Sequence, residues 1–257
     1  MATLIAMVWL MSGCATTIDG PTMGELPSPQ QAVARLQERQ ANVRSFVMQG
    51  SLSARTAEGR DLSGDHVIYG VYPDRLRADV LGPFGQPVLR MIADGNKLSV
   101  LSFDENRLYL GRATRQNVAA FLGVNLSPDE VFTILGGGVP FLRSDNLQET
   151  APAQPGAAML TITDGPARIV ETVEFDLADY SIRQGRLRQH EGPYNFLCRF
   201  DKFTTGGPWR YPRTVEIESA DGRALALEND ELLINEPVDG KVFEAPTPKG
   251  IEVRWLK

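Results

Sequence analysis

The 257-residue sequence is poor in residues that commonly carry catalysis or disulfide chemistry, with only two cysteines and two histidines. Basic residues are also outnumbered, since 26 Lys and Arg face 32 Asp and Glu, for a formal net charge of −6. A nucleic-acid-binding protein normally has a basic excess, so this class is disfavoured. The apolar runs are shorter than the roughly 20 residues that cross a bilayer as a helix, which argues against a polytopic membrane protein.

What the sequence does contain is apolar residues and turn formers. Hydrophobic residues make up 42% of the chain, enough for a core in one large domain or two small ones. There are 24 Gly and 17 Pro, whereas strong helical patterns are few. This composition favours many short strands joined by turns.

The N-terminal apolar run ends in Ser12, Gly13 and Cys14. It fits the hydrophobic region of a secretory signal that ends in small residues, and it resembles a bacterial lipobox, in which Cys14 becomes acylated, for example with palmitate. We therefore expect a signal peptide at 1–13 and a lipidated tether at 14–27. By resemblance to enterobacterial sorting, Ala15 after the cysteine indicates the outer membrane. The alternative is an apolar N terminus with a free thiol. For Cys198, within an alternating segment, we predict a buried, unreactive thiol.

Local patterns predict the secondary structure. Ser28, Pro29 and Gln31 form a helix-start signal for a helix that continues to about Arg44. Alternating residues then predict a meander of about six antiparallel strands over 46–110. Residues 143–157 predict a polar loop, and strand patterns resume from 169 to 234, which gives eleven or twelve strands in all.

Two short apolar helices are predicted in the middle of the chain, at 115–122 after Thr114 and at 128–135 after Ser127. An antiparallel sheet of this size tends to curl or close, and the two helices would cover its open mouth. The predicted fold class is therefore mainly β. It is an incomplete, half-open antiparallel β-barrel of about eleven strands, with a short-helix lid and an N-terminal helix, in a single domain at 28–257.

Several motifs, in this order, carry a family resemblance. They are the lipobox at Cys14, Leu-Gly-Pro-Phe-Gly at 81–85, Phe-Leu-Gly-Val at 121–124 and Phe-Glu-Ala-Pro at 243–246. With them the sequence resembles the LolA/LolB superfamily of lipoprotein carriers, and LolB more than LolA. The resemblance implies a lipid-anchored outer-membrane protein facing the periplasm of a Gram-negative bacterium. Its cavity would bind acyl chains, accept lipoproteins or another lipid from a periplasmic LolA-like carrier, and help insert them in the outer membrane.

The resemblance also assigns a membrane-insertion role to Phe84, which follows Pro83 in a predicted turn. Its tip would hold a large apolar side chain where polar residues are usual; the alternative is that Phe84 folds back onto its own sheet. Candidate acyl-chain cavity residues, which fit a filled core equally well, are Phe46, Met48, Leu52, Val80, Ile92, Phe175 and Phe200. Candidate lid residues are Phe121, Leu122, Phe132, Ile134 and Leu135.

Two other classes of function remain open. An enzyme would have only His66 and His190 as imidazole bases, and neither stands in a recognised catalytic arrangement. We predict both histidines to be at the surface, and we predict no metal, cofactor or enzyme activity. The other class is a structural or assembly lipoprotein that shares the fold without transfer activity. An open apolar cavity favours lipid handling, a filled barrel favours the structural role, and perturbed carboxylates in a polar cleft would favour an enzyme.

Overall fold

A computed structural model describes residues 26–55, 61–141, 148–166, 168–192, 195–204 and 209–257. The predicted signal peptide at 1–13, the lipidation site at Cys14 and most of the tether lie outside the described residues. None of the helices in the described ranges has both the length and the apolar character to cross a membrane.

The described chain forms three α-helices, fourteen strands and one 3₁₀ helix. They are α1 (Pro29–Ala41), β1 (Ser45–Arg55), β2 (Asp61–Val71), β3 (Arg75–Leu81), β4 (Pro87–Asp94), β5 (Lys97–Ser102), β6 (Arg107–Arg112), α2 (Arg115–Leu122), α3 (Pro128–Leu135), β7 (Gln148–Pro152), β8 (Ala157–Asp164), β9 (Ile169–Asp176), β10 (Ile182–Gln189), β11 (Asn195–Phe203), β12 (Pro212–Ser219), β13 (Ala224–Ile234), a 3₁₀ helix (Gly240–Phe243) and β14 (Glu252–Trp255).

The strands form one sheet in the order β14-β6-β5-β4-β3-β2-β1-β13-β12-β11-β10-β9-β8-β7. Neighbouring strands are antiparallel except β14, which pairs parallel to β6. Because β7 and β14 are separate edges, the sheet does not close, and the predicted half-open antiparallel barrel is confirmed.

The number of strands is fourteen rather than about eleven. The segments around Leu225 and Leu232 are parts of one strand, β13, whereas β7 and β14 lack a clear sequence signal. Strand β8 is not among the predicted strands, although Leu160 and Ile162 alternate with Thr161 and Thr163. β7 lies inside the predicted polar loop at 143–157, contains Pro152 and occupies an edge. All four residues of β14 are exposed, so no alternation marks it.

The helix predictions depend on local capping and are confirmed. In α1 the Ser28 amide donates to Gln31 Oε1 at 2.9 Å, and the Gln31 amide donates to Ser28 Oγ at 3.3 Å. The helix ends at Ala41, three residues before the predicted end, with Asn42 as its C-terminal cap. Helices α2 and α3 have the predicted bounds, and the Ser127 amide donates to Glu130 Oε2 at 2.8 Å.

Both faces of β3 and β4 are covered. The main core lies on the inner face, where Phe46, Met48 and Phe175 are fully or almost fully buried. On the outer face the C-terminal segment packs against β3 and β4, and Arg77 Nη1 donates to the Val242 carbonyl at 3.0 Å. The C-terminal segment therefore covers the outer face of β3 and β4, and the helices pack on the inner face.

The other half of the sheet contains Cys198, which is fully buried in β11 as a free thiol. Burial raises the pKa of this thiol far above its ordinary value, and the nearby Glu171 carboxylate raises it further. A thiol that stays protonated is a poor nucleophile. The prediction of a buried, unreactive Cys198 is confirmed.

An acid-sensitive contact joins the β9–β10 turn to the segment before β12. Asp179 accepts hydrogen bonds from Arg210 and from the Ser181 amide and hydroxyl. Burial raises the pKa of Asp179, but these hydrogen bonds lower it more, to about 2. Because the folded-state pKa lies below the unfolded value, the carboxylate stabilises the fold above about pH 4 and loses this effect as the pH falls through about 2.

Replacing Asp179 by asparagine is therefore expected to lower the free energy of unfolding at neutral pH by about 1–2 kcal/mol, after allowance for solvent screening. It should also flatten the fall in stability between about pH 4 and pH 2. Urea unfolding across this range checks both effects, with Asp61→Asn, which removes an exposed ion pair to Arg55, as the control. An unchanged pH profile in the Asp179 variant would contradict the assignment.

Candidate functional site

An apolar cavity of about 60 Å³ lies between the inner face of the sheet and the two middle helices. It is lined by Leu52, His66, Ile68, Leu76, Ala78, Val80, Met91, Leu122, Val124, Val131, Leu135, Ile217, Leu225 and Leu227. Apart from His66 these side chains are all apolar. Such a lining can take hydrocarbon but offers no polar cleft for chemistry.

The predicted cavity residues divide into three groups. Leu52 and Val80 line the cavity. Phe46, Met48, Phe175 and Phe200 also belong to the inner core, but they are packed among other buried residues and do not line the cavity.

Ile92 lies on the opposite face of the sheet, where it lines a separate pocket with Phe243 of the C-terminal segment. Its neighbour Met91 pairs with the inward-facing Ala78, whereas Ile92 pairs with Arg77. Directly paired residues of adjacent strands share a face. Placing Ile92 in the cavity is therefore wrong, because the turn before β4 reverses which residue numbers face inward.

The predicted lid residues all lie in α2 or α3, but only some reach the cavity. Leu122 and Leu135 line it. Phe132 stacks on Phe46 with ring centroids 4.9 Å apart, and the ring centroids of Phe121 and Tyr109 are 5.3 Å apart. Ile134 is fully buried. Val124 and Val131 complete the lid's contribution to the lining.

The two lid helices are joined to each other and to the sheet. Arg115 at the start of α2 forms a two-pronged ion pair with Glu130 of α3, with Nη2 2.6 Å from Oε1. Asn117 Nδ2 donates to the carbonyls of Arg112 at 2.9 Å and Lys257 at 3.2 Å. These contacts connect α2 to α3 and to the end of β6.

His66 is buried, not at the surface as predicted, with 1% of its area exposed. It shares the inward face of β2 with Ile68 and lines the cavity. Its Nε2 lies 2.9 Å from Asn229 Oδ1, and because Asn229 Nδ2 donates to the Arg213 carbonyl, Oδ1 is the acceptor and Nε2 the donor. Burial lowers the pKa of His66 despite this hydrogen bond, which favours the neutral imidazole.

The other predicted surface histidine, His190, is exposed as expected. Within the described ranges, no group of three or more His, Cys, Asp or Glu side chains is placed to hold a metal ion. The strongly lowered pKa of Asp179 has a structural cause in its contacts with Arg210 and Ser181, and this carboxylate does not line the cavity.

Phe84 stands at the tip of the β3–β4 turn with 94% of its area exposed. The Gly85 amide donates to the Gly82 carbonyl at 2.8 Å, and the Phe84 amide donates to Gln86 Oε1 at 3.0 Å. Gly85 has a φ of +74°, which suits glycine. The turn therefore holds Phe84 away from the protein, with Pro83 also exposed, and the alternative in which Phe84 folds onto its sheet is wrong.

No protein-family model matches the chain. Among curated proteins, the chain is similar to an outer-membrane lipoprotein carrier protein from Halorhodospira halophila, at 27% identity over 214 residues, which cover 82% of this chain and 78% of the relative.

Two solved structures share the fold. A LolA superfamily protein from Nitrosomonas europaea matches with a TM-score of 0.57 and 11% identity, covering 86% of this chain and 99% of the other. A DUF1329 family protein from Desulfovibrio piger matches with a TM-score of 0.58 and 10% identity, covering 84% and 95%. The chain therefore resembles the LolA/LolB superfamily in sequence and in fold, as its motifs predict.

Proposed function

We propose that this protein is a lipid-anchored outer-membrane lipoprotein of the LolB type that faces the periplasm and handles acylated cargo. It accepts the acyl chains of lipoproteins, or another lipid, from a periplasmic LolA-like carrier and helps insert them in the outer membrane. The observation that carries this proposal is the apolar cavity beneath a two-helix lid. The carrier named among its relatives and the shared LolA-type fold support it.

The volume of the cavity indicates a closed state, in which the lid helices lie against the sheet and no acyl chain fits. Small-molecule sites usually measure about 300–1,000 Å³, several times the 60 Å³ found here. Acceptance of an acyl chain therefore requires the lid to move away from the sheet. The chemistry is partition between apolar environments, and no bond needs to form or break.

An order-of-magnitude comparison shows that cargo can drive this movement. Opening would expose Val131, Phe132, Ile134 and Leu135 of α3, all buried in the closed state, at about 1.5–3 kcal/mol each. Each buried methylene of an acyl chain contributes about 0.8 kcal/mol, so about ten methylenes offset most of that cost. A single long chain is thus sufficient, and a shorter one leaves the lid closed.

A second candidate is a structural or assembly lipoprotein with the same fold. The small cavity and the dense packing of Phe46, Phe175 and Phe200 favour it. In that case the closed state is the only functional one, and acyl chains are not accepted.

A transfer assay separates the two candidates. The chain from residue 15 onward is mixed with a periplasmic carrier loaded with a labelled lipoprotein, and outer-membrane vesicles are then added. We expect label to pass to the wild-type protein and then to the vesicles. Phe84→Glu should keep acceptance and lose most delivery, because a charged tip is costly to bury in lipid.

Trp255→Glu is the matched control, since Trp255 is 77% exposed and should not affect either step. If a folded wild-type protein takes up no label, the receptor function is wrong and the structural candidate stands. If Phe84→Glu delivers as well as wild type, the cavity function stands and the insertion role of Phe84 does not.

A further inference from the structure

We propose that the protein docks on the phospholipid bilayer through the start of β2 and the turns that follow β3 and β5, with Leu62 and Phe103 entering the interface beside Phe84. We call these three side chains the apolar apex. This inference rests on the proposed function and extends it, because a contact of three points fixes the orientation of the barrel, whereas a single inserted side chain does not.

The strand order brings the three residues to one end of the sheet. Strands β2, β3, β4 and β5 are consecutive neighbours. Leu62 lies at the start of β2, Phe84 lies between β3 and β4, and Phe103 follows the end of β5. Because neighbouring strands alternate in direction, all three positions fall at the same end.

A backbone hydrogen bond and the close approach of Gly64 to β3 show that these segments are adjacent. The Phe103 amide donates to the carbonyl of Val88, just after the Phe84 turn, at 3.0 Å. On the other side, a Cβ added to Gly64 would lie 2.2 Å from the Leu81 carbonyl oxygen and 3.9 Å from Gly82 Cα. Leu62 precedes Gly64 by two residues in β2 and therefore lies nearer this end of the sheet, level with the Phe84 turn.

The apex residues are exposed although they are large and apolar. The exposed fractions are 94% for Phe84, 55% for Leu62 and 36% for Phe103. Phe84 and Phe103 lie in turns, where polar or small residues are usual. A lipid interface offers these side chains an apolar environment that the folded chain does not.

The charges beside the apex identify the kind of surface. Acidic residues outnumber basic ones among the described residues beside the apex. The acidic residues are Asp61, Asp65, Asp104 and Glu105, and the basic ones are Arg55 and Arg107, which pair with Asp61 at 2.9 Å and Glu252 at 3.1 Å. A polybasic segment would seek anionic lipid. This end is suited to zwitterionic headgroups and to insertion that does not depend on salt.

The orientation also matters for the lid. The connection between α2 and α3 reaches the β12–β13 turn, where a Cβ on Gly123 would lie 3.7 Å from Arg223 Cδ. The β12–β13 turn is at the same end of the sheet as the apex, by the same alternation of strand direction. Docking through the apex therefore directs the connected end of the lid toward the bilayer.

The test uses the full chain reconstituted in phosphatidylcholine and phosphatidylethanolamine vesicles, with single cysteines that carry an environment-sensitive fluorophore. The variants are Leu62→Cys, Phe84→Cys and Phe103→Cys. The controls are Leu233→Cys and Trp255→Cys, which are exposed positions at the opposite end of β13 and β14. Neither native cysteine should label, because Cys14 is acylated in the proposed anchored form and the Cys198 thiol is buried.

We expect a blue shift, and quenching by bilayer-embedded nitroxide lipids, at all three apex positions and at neither control. Added salt or anionic phosphatidylglycerol should change neither result. Quenching at Phe84 alone would overturn the apex and leave the proposed function intact. Absence of quenching at all three positions would overturn the apex and the insertion role, while acyl-chain acceptance is judged separately by the transfer assay.

Discussion

Replacement of Phe46 by alanine is expected to lower the free energy of unfolding by about 3–5 kcal/mol, the range typical of buried phenylalanines. Phe46 is fully buried, and its ring supports Phe132 of the lid at 4.9 Å. Its position is also close-fitted, because a Cβ added to Gly70 would lie 2.3 Å from Phe46 Cζ. The cavity left by the substitution cannot easily collapse against a continuous β-strand.

Denaturant unfolding gives the size of this effect, and hydrogen exchange gives its location. Relative to wild type, hydrogen exchange in Phe46→Ala should accelerate more for amides of α3 than for amides of β11. The reason is that the substitution removes the ring on which Phe132 of α3 packs. Phe84→Ala, at a turn where the ring is 94% exposed, is the matched control and should change stability by less than about 0.5 kcal/mol. A loss below about 1 kcal/mol in the Phe46 variant would show that the ring does not support the lid.

Filling the cavity is expected to weaken acyl-chain binding about fiftyfold. Ala78 lines the cavity from β3, and a phenylalanine there would occupy the space that the closed state leaves empty. If the larger side chain displaces about three methylenes of a bound chain, the loss is about 2.4 kcal/mol. Titration of a fluorescent fatty acid against Ala78→Phe and wild type measures this change.

Ala226→Phe provides the control for added bulk, because Ala226 lines a groove with Ser51 and Ser53 and not the lidded cavity. Its affinity for the fatty acid should match wild type, and both variants should unfold cooperatively. Equal binding by Ala78→Phe and wild type would place the acyl chain elsewhere. The outer pocket beside Phe243 and Trp255 would then be the first alternative site.

The elements that the sequence predicts well are those set by local chemistry. The caps at Ser28 and Ser127 and the glycine after Leu122 each act within a few residues, so their signals survive without knowledge of the tertiary fold. The exposed Phe84 is predicted for a similar reason, since Pro83 and Gly85 dictate the turn.

The features that the sequence does not predict depend on partners that are distant along the chain. His66 is buried because Asn229, 163 residues away, supplies its hydrogen bond. Ile92 faces outward because the turn before β4 sets the register with β3. The edge strands β7 and β14 show little alternation of apolar and polar residues, because each pairs with only one neighbouring strand. In each case the decisive interaction is a pairing across the sheet, which alternation within one strand cannot specify.

The open sheet has a consequence for self-association. An exposed edge strand can pair with a second molecule and extend a sheet into an aggregate. Here β7 has only five residues and ends at Pro152, which lacks an amide donor. Helix α1 packs against it, and Thr150 Oγ1 donates to the Pro27 carbonyl at 2.8 Å just before that helix. The N-terminal helix thereby shields the β7 edge from a second copy, so this edge of the open sheet is protected against strand addition.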